Sequence, residues 1–116
     1  MLKFNNTVPI YIQIMNLIIE KIVSKELKKG EKLKSVREYA IELSVNVNTV
    51  RNAYGELEGK NIIFKKRGIG TFVTEDMDII EKLKDDLSLS VVNEFIKKME
   101  ALGYSKDEIL KRIEAI

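Results

Sequence analysis

The chain has 116 residues, which suits one compact domain with a small appendage and excludes a multidomain enzyme. Hydrophobic residues at 45% and charged residues at 33% permit a packed core. The absence of cysteine and histidine removes disulfides, thiolate metal sites, the commonest general base and the commonest neutral metal ligand. The net charge of +2 conceals an asymmetry. Residues 1–74 hold 13 Lys+Arg against 7 Asp+Glu, a net +6, whereas residues 75–116 are net −4. The front part is therefore suited to a polyanion and the back part to another task.

No apolar run approaches the roughly 18 residues a membrane helix needs. Met1-Leu2-Lys3-Phe4-Asn5-Asn6 lacks the layout of a signal peptide, so a cytoplasmic protein with no membrane partner is expected.

Pro9 precedes the first helical pattern, in which Ile10, Ile14, Ile18 and Ile22 recur every four residues, widened by Tyr11, Met15 and Leu17. This helix should fade near Leu27, before Lys28-Lys29-Gly30. Ser35-Val36-Arg37-Glu38 reads as a capping box that opens a second helix, with Val36, Tyr39, Ala40 and Leu43 on its apolar face. Leu43-Ser44-Val45 makes a short turn into a third helix, N-capped by Asn46, with Val50, Ala53, Tyr54 and Leu57 on one face and Gly59 closing it. Two β-prone runs follow, at 61–65 and 71–74, and Lys66-Arg67-Gly68-Ile69-Gly70 between them can turn a hairpin. Beyond Thr74 an apolar stripe of Ile80, Leu83, Leu87, Val91, Phe95, Met99 and Leu102 predicts one long helix ended by Gly103. A second capping box, Ser105 to Glu108, opens a last helix through Ile109, Leu110, Ile113 and Ile116.

The order helix, helix, short turn, helix, hairpin is that of a winged helix-turn-helix, a mainly α fold with a small β-hairpin and here a two-helix tail. An α-helix fits the major groove of duplex DNA, and a hairpin can reach the neighbouring backbone. The third helix is the expected reading element, and its first turns offer Asn46, Asn48, Thr49, Arg51 and Asn52. Asparagine pairs with adenine edges and arginine with guanine edges. Caps and a surface charge would account for Asn46, Asn48 and Arg51 equally on an arbitrary helix. An Asn-x-Asn-Thr start after a tight turn and before a basic hairpin exceeds what solvation requires. In the wing, Lys65, Lys66 and Arg67 beside Gly68 can follow phosphates or lay Arg67 in the minor groove, although three cations also blunt an edge strand against aggregation. Lys34 and Ser35, near a helix N-terminus, are candidates for a phosphate, whereas Lys28 and Lys29 read as a solvated turn.

These residues resemble the GntR family of bacterial regulators. The likeness is carried by Pro9-Ile10-Tyr11-x-Gln13-Ile14, Gly30-x-x-Leu33, Ser35-x-Arg37-x-x-Ala40, Asn46-x-Asn48-Thr49-Val50-x-x-Ala53-Tyr54-x-x-Leu57-Glu58 and the wing Gly68-x-Gly70-Thr71-Phe72-Val73. The short tail is similar to that of the YtrA-type subfamily. The resemblance implies a homodimeric transcriptional repressor of an operon, often one encoding an ABC transporter. Its DNA contacts would fall on Arg37, on Asn46, Asn48, Thr49 and Arg51, and on Arg67-Gly68. Two positions depart from the family pattern. Lys34 stands where proline is usual before the serine, which alters the approach to the second helix. Val47 stands where proline or arginine is frequent, leaving a thymine methyl as its available target.

Residues 1–74 are thus expected to bind double-stranded DNA and residues 75–116 to dimerise. A lone helix presenting Leu83, Leu87, Val91, Phe95, Met99 and Leu102 to water would aggregate, and two copies would bury that face across a two-fold interface. The stripe folding back on its own winged helix is the alternative. No cofactor, metal site or large effector pocket is expected, because two tail helices enclose little of the roughly 300 Å³ a ligand needs. Asp85-Asp86, Asp107-Glu108 and Glu75-Asp76 are adjacent carboxylate pairs explained by solvation or capping, so an enzyme is not expected. A winged helix used for protein contact, and a non-specific architectural DNA binder, remain as rivals that salt-sensitive and sequence-selective DNA binding would exclude.

Overall fold

The computed structural model describes residues 4–116. Met1, Leu2 and Lys3, on which the leader reading begins, lie outside them. The elements run α1 (Ile10–Val23), α2 (Val36–Leu43), α3 (Val47–Gly59), β1 (Ile63–Lys66), β2 (Gly70–Val73), α4 (Met77–Ala101) and α5 (Lys106–Glu114). Two compact units result, one through Leu83 and one from Lys84 to Ile116, so the division falls inside α4.

The core of the first unit forms where three helical faces meet the hairpin. Ile14, Met15, Ile18 and Ile22 of α1 are buried with Tyr39 and Ala40 of α2 and with Val50, Ala53, Tyr54 and Leu57 of α3. Ile62, Ile63 and Val73 close it from the hairpin side, and Leu33 from the α1–α2 connection. Ile10, the first residue of the expected stripe, is 41% exposed and takes no part. Ile79, Ile80 and Leu83, in the first turns of α4, pack against this core. No residue of α4 is fully buried.

Helix ends are set by local hydrogen bonding. Ser35 and Glu38 form the expected capping box, with Ser35 Oγ accepting the Glu38 N–H at 3.1 Å and Glu38 Oε1 accepting the Ser35 N–H at 3.0 Å. Ser105 and Glu108 repeat it for α5. Three helices end in Schellman motifs, in which the two amides after the last turn bond back across it. At α2 the amides of Ser44 and Val45 reach the carbonyls of Ile41 and Ala40. At α3 those of Asn61 and Ile62 reach Glu58 and Leu57, and at α4 those of Gly103 and Tyr104 reach Glu100 and Met99. The left-handed residue is therefore Ser44 (φ 57°), Asn61 (φ 61°) and Gly103 (φ 96°) respectively.

Two expected boundaries move. α1 ends at Val23 rather than near Leu27, because Lys25 adopts a left-handed conformation (φ 67°) and the Leu27 N–H folds back to Lys21. Gly59 is the last residue of α3 and does not terminate it; Asn61 does. The strands shift accordingly, from 61–65 to Ile63–Lys66 and from 71–74 to Gly70–Val73.

β1 and β2 pair antiparallel with Ile63 opposite Val73 and Lys66 opposite Gly70. The chain reverses in a turn closed by the Ile69 N–H on the Lys66 carbonyl, with Gly68 at φ 77° in the third position, where a positive φ favours glycine. The free edge of β2 is covered. Residues 30–33 run antiparallel along it through Gly30 N–H to Val73 O, Val73 N–H to Glu31 O and Leu33 N–H to Thr71 O. This covering removes a row of unpaired edge groups and ties the α1–α2 connection to the wing.

Leu57, fully buried on α3, is central to this core. Leu57→Ala is expected to lower unfolding stability by about 2–5 kcal/mol, whereas Ile41→Ala, at a side chain 80% exposed, should change it by less than about 0.5 kcal/mol. Urea unfolding at fixed protein concentration checks both.

Candidate nucleic-acid interface

The face of α3 opposite Val50, Ala53, Tyr54 and Leu57 faces solvent. Asn46, Asn48, Arg51 and Asn52 are exposed there, and Thr49 is half-buried. Asn46 is the N-cap, its Oδ1 accepting the Asn48 N–H at 2.7 Å. Asn48 Oδ1 in turn accepts Arg51 Nη1 at 2.5 Å. The first turn of α3 carries no acidic residue, so nothing there offsets the positive end of the helix dipole.

α2 is fixed against α3 by two aromatic rings. Tyr39 and Tyr54 lie 6.4 Å apart between centroids at 40°. The Tyr54 hydroxyl donates to the Lys34 carbonyl at 2.7 Å, which ties the residue before the α2 cap to the middle of α3. Burial, reinforced by Tyr39 and Glu38, pushes the Tyr54 hydroxyl far above the ordinary tyrosine range, so it remains a donor at every physiological pH. The Tyr39 hydroxyl is buried without a protein partner, and burial with the nearby Glu26 charge raises it too.

Lys34 does not stand free, since its ammonium is ion-paired with Glu42. The Ser35 hydroxyl accepts the Glu38 amide and also hydrogen-bonds the Glu38 carboxylate, so it too meets a phosphate only by exchanging a partner. Arg37 is exposed on α2, with no ion pair or side-chain hydrogen bond among the described residues. A crevice of about 140 Å³ between α3 and the hairpin is lined by Val36, Arg51, Tyr54, Gly55, Glu58, Ile63, Lys65 and Thr71, which brings Arg51 and Lys65 to one cleft.

In the wing, Phe64 and Phe72 face each other across the strands with centroids 5.7 Å apart. Lys66 lies over both rings, 5.8 and 5.1 Å from their centroids. Its cation is held by the aromatic faces and stays exposed. Arg67 and Gly68 occupy the exposed turn.

In the tail, Val91 (59%), Phe95 (41%) and Leu102 (74%) are exposed, whereas Leu83, Leu87 and Met99 are half-buried. Leu89 and Val92 are also exposed and were absent from the sequence reading. They belong to a second row, 89–92–96–99, whose three- and four-residue steps run beside the first. α5 buries Ile109 alone, and Arg112 lies 5.6 Å from the Tyr104 ring. No described helix is long and apolar enough to cross a membrane, and no metal-binding cluster of acidic residues occurs among the described residues.

The family described as "Bacterial regulatory proteins, gntR family" matches residues 10–73. The uncharacterized HTH-type transcriptional regulator YhcF of Bacillus subtilis is 44% identical over 112 residues, 97% of this chain and 93% of that protein. The HTH-type transcriptional repressor YtrA of the same organism is 44% identical over 71 residues, 61% of this chain and 55% of its own length. A solved GntR family transcriptional regulator from Listeria monocytogenes superposes with a TM-score of 0.87 at 40% identity, covering 97% of this chain and 99% of that one. Solved chains similar to this one also include a DNA-binding domain in complex with an operator, with a TM-score of 0.58 at 25% identity over 62% of this chain and 93% of that one.

The capping box that orients Arg37 has a titratable member. Hydrogen bonds from the Ser35 backbone, then from its side chain, hold Glu38 below the ordinary glutamate range, and Ser105 does the same for Glu108. A depressed carboxylate stabilises the fold above its unfolded pKa, and that contribution is lost as pH falls through its folded value. An NMR titration should find both glutamates ionising below the usual range of about 4.3, and Ser35→Ala should return Glu38 alone toward it.

Proposed function

The chain belongs to the GntR family of bacterial regulatory proteins and is a DNA-binding transcriptional regulator rather than an enzyme, and from that premise we propose that it is a repressor that grips a two-fold operator as a homodimer. Its target being chromosomal DNA, it works in the cytoplasm. An operon encoding an ABC transporter is the target that its YtrA-type character suggests.

The observation that carries this reading is the two-sidedness of α3. One face is locked into the core by Val50, Ala53, Tyr54 and Leu57, and the other presents Asn46, Asn48, Arg51 and Asn52 with no acid in the first turn. That is the arrangement a helix needs to enter a major groove as a rigid probe. Thr49 at the margin of this face completes the set.

Arg37 and the Ser35 hydroxyl supply phosphate contacts from α2, and Arg67 with Gly68 supplies the wing tip. Lys66, seated on two rings, contributes a fixed cation to the backbone. Lys34 reaches a phosphate only by leaving Glu42, and Ser35 only by releasing the Glu38 carboxylate, which ranks both below the others. DNA binding is assigned to residues 1–74 and dimerisation to residues 75–116. The stripe of Leu87, Val91, Phe95, Met99 and Leu102 supports the second assignment, whereas Leu83, expected at its head, packs against the core of its own first unit. A helix of 25 residues that buries none of them fully has an apolar face for a second copy of the chain. Crevices of about 100 and 140 Å³ in the first unit fall short of the roughly 300 Å³ of an effector pocket, and the hollow of about 530 Å³ beside Asp86, Leu89, Asn93 and Lys97 lies open along one face of α4.

Arg51→Ala is expected to lose preference at one base position per half-site, at a cost of about 1–3 kcal/mol, whereas Lys66→Ala should weaken all sequences alike and flatten the salt dependence. Fluorescence anisotropy with operator and random duplexes across a salt series separates the two effects. Equal binding of both duplexes by the Arg51 variant and its parent would remove α3 from the major groove. Val91→Glu is expected to yield monomers in sedimentation, and an undiminished dimer would put the interface elsewhere.

A further inference from the structure

Asparagine reads adenine by presenting its carbonyl oxygen to the N6 hydrogens and its amide hydrogens to N7 together. In this chain the acceptor ends of both asparagines at the start of α3 are engaged within the helix. Asn46 Oδ1 holds the Asn48 backbone N–H at 2.7 Å, and Asn48 Oδ1 holds Arg51 Nη1 at 2.5 Å. Each amide oxygen thus has one of its two lone pairs occupied, while both NH₂ groups and the other N–H donors of Arg51 carry no bond, so donors predominate at this edge. No carboxylate occurs in the first turn to supply an acceptor in their place.

We propose that Asn48 is a positioning residue for Arg51, and that together they make the leading edge of α3 a donor-rich surface that selects guanine over adenine. The inference rests on the reading of α3 as the recognition helix. Of the four bases, guanine alone sets two acceptors, O6 and N7, side by side in the major groove. Adenine places its N6 hydrogens where the guanidinium also brings hydrogens, and cytosine offers a donor in the same way. Residues three apart on a helix are neighbours, so the Asn48–Arg51 bond forms within one turn and carries both side chains as a unit. A free arginine loses rotamer freedom when it docks. One already held at Nη1 has given up part of that freedom before DNA arrives. The adenine contact expected of Asn48 from its residue type alone is thereby replaced by an indirect role.

The test is selection from a duplex library randomised across the half-site, using the full chain and three variants, with base preference read position by position. Arg51→Ala identifies the position that Arg51 reads. That position should specify guanine in the parent, with a preference that falls on the order of tenfold in the variant. Asn48→Ala should relax the same position while the salt dependence of binding stays that of the parent, since no phosphate contact is removed. Asn48→Asp keeps an oxygen facing Arg51 and should restore the guanine preference, even as its charge lowers affinity for every sequence. Two results overturn the proposal: an Asn48→Ala variant that relaxes an adenine at a separate position, and one that leaves the Arg51 position unaltered. A parent chain with no base preference anywhere would instead defeat the recognition-helix reading, and the inference with it.

Discussion

The burial of one face of α3 is the constraint on which the rest depends. A helix has one circumference, and residues that repeat at three- and four-residue steps occupy one side of it. Val50, Ala53, Tyr54 and Leu57 take the side that meets α1, α2 and the hairpin. Asn48, Arg51 and Asn52 have only the other side left. The exposure of this polar edge is thus a consequence of core packing. Its rigidity has the same origin, because the well-packed interior that hides Leu57 leaves the helix little room to roll.

Around that helix the connections act as ties. The Schellman turn at Ser44 lets α2 reverse into α3 within a few residues, and the Tyr54 hydroxyl binds the start of α2 to the middle of α3. Residues 30–33, laid along β2, join the wing to the α1–α2 connection. The wing thereby belongs to the same hydrogen-bonded body as the helices. The stacked Phe64 and Phe72 give Lys66 a seat of its own on that body.

Much of this was legible in the residue order. Four of the five helix starts carried their signal in the residue types, with proline at 9, serine at 35 and 105 and asparagine at 46, while the start of α4 at Met77 was not marked in advance. Helix ends were less legible. Of the chain reversals after α1, α2, α3 and α4, only the last uses glycine at its left-handed position, while Lys25, Ser44 and Asn61 hold the others. Tertiary contacts select those conformations, and a search for glycine stops at Gly59 or runs on to Leu27. The strand-like pairing of residues 30–33 was also hidden, since Gly30-Glu31-Lys32-Leu33 has no β signature. At the reading edge, the residue types were visible and their hydrogen-bond states were not. The composition of Asn-x-Asn-Thr-Val-Arg suggests adenine contacts from asparagine and guanine contacts from arginine, and the bond from Arg51 to Asn48 Oδ1 is a detail that residue types do not disclose.

Under the proposed assignment the charge division at residue 74 separates a DNA-binding part from a dimerising part, while the two compact units meet further on, at Leu83 within α4. The cationic front part contains the core that aims α3, and the acidic back part carries apolar rows on α4 that remain uncovered in a single chain. A reading head and a self-associating tail are the two requirements of two-fold DNA recognition. The most direct measurement is a dimethyl sulfate footprint on a selected operator, because guanine N7 lies in the major groove. Insertion of α3 from two copies predicts two patches of protected N7 atoms about one helical turn apart. Full N7 reactivity across DNA that the protein visibly occupies would contradict it.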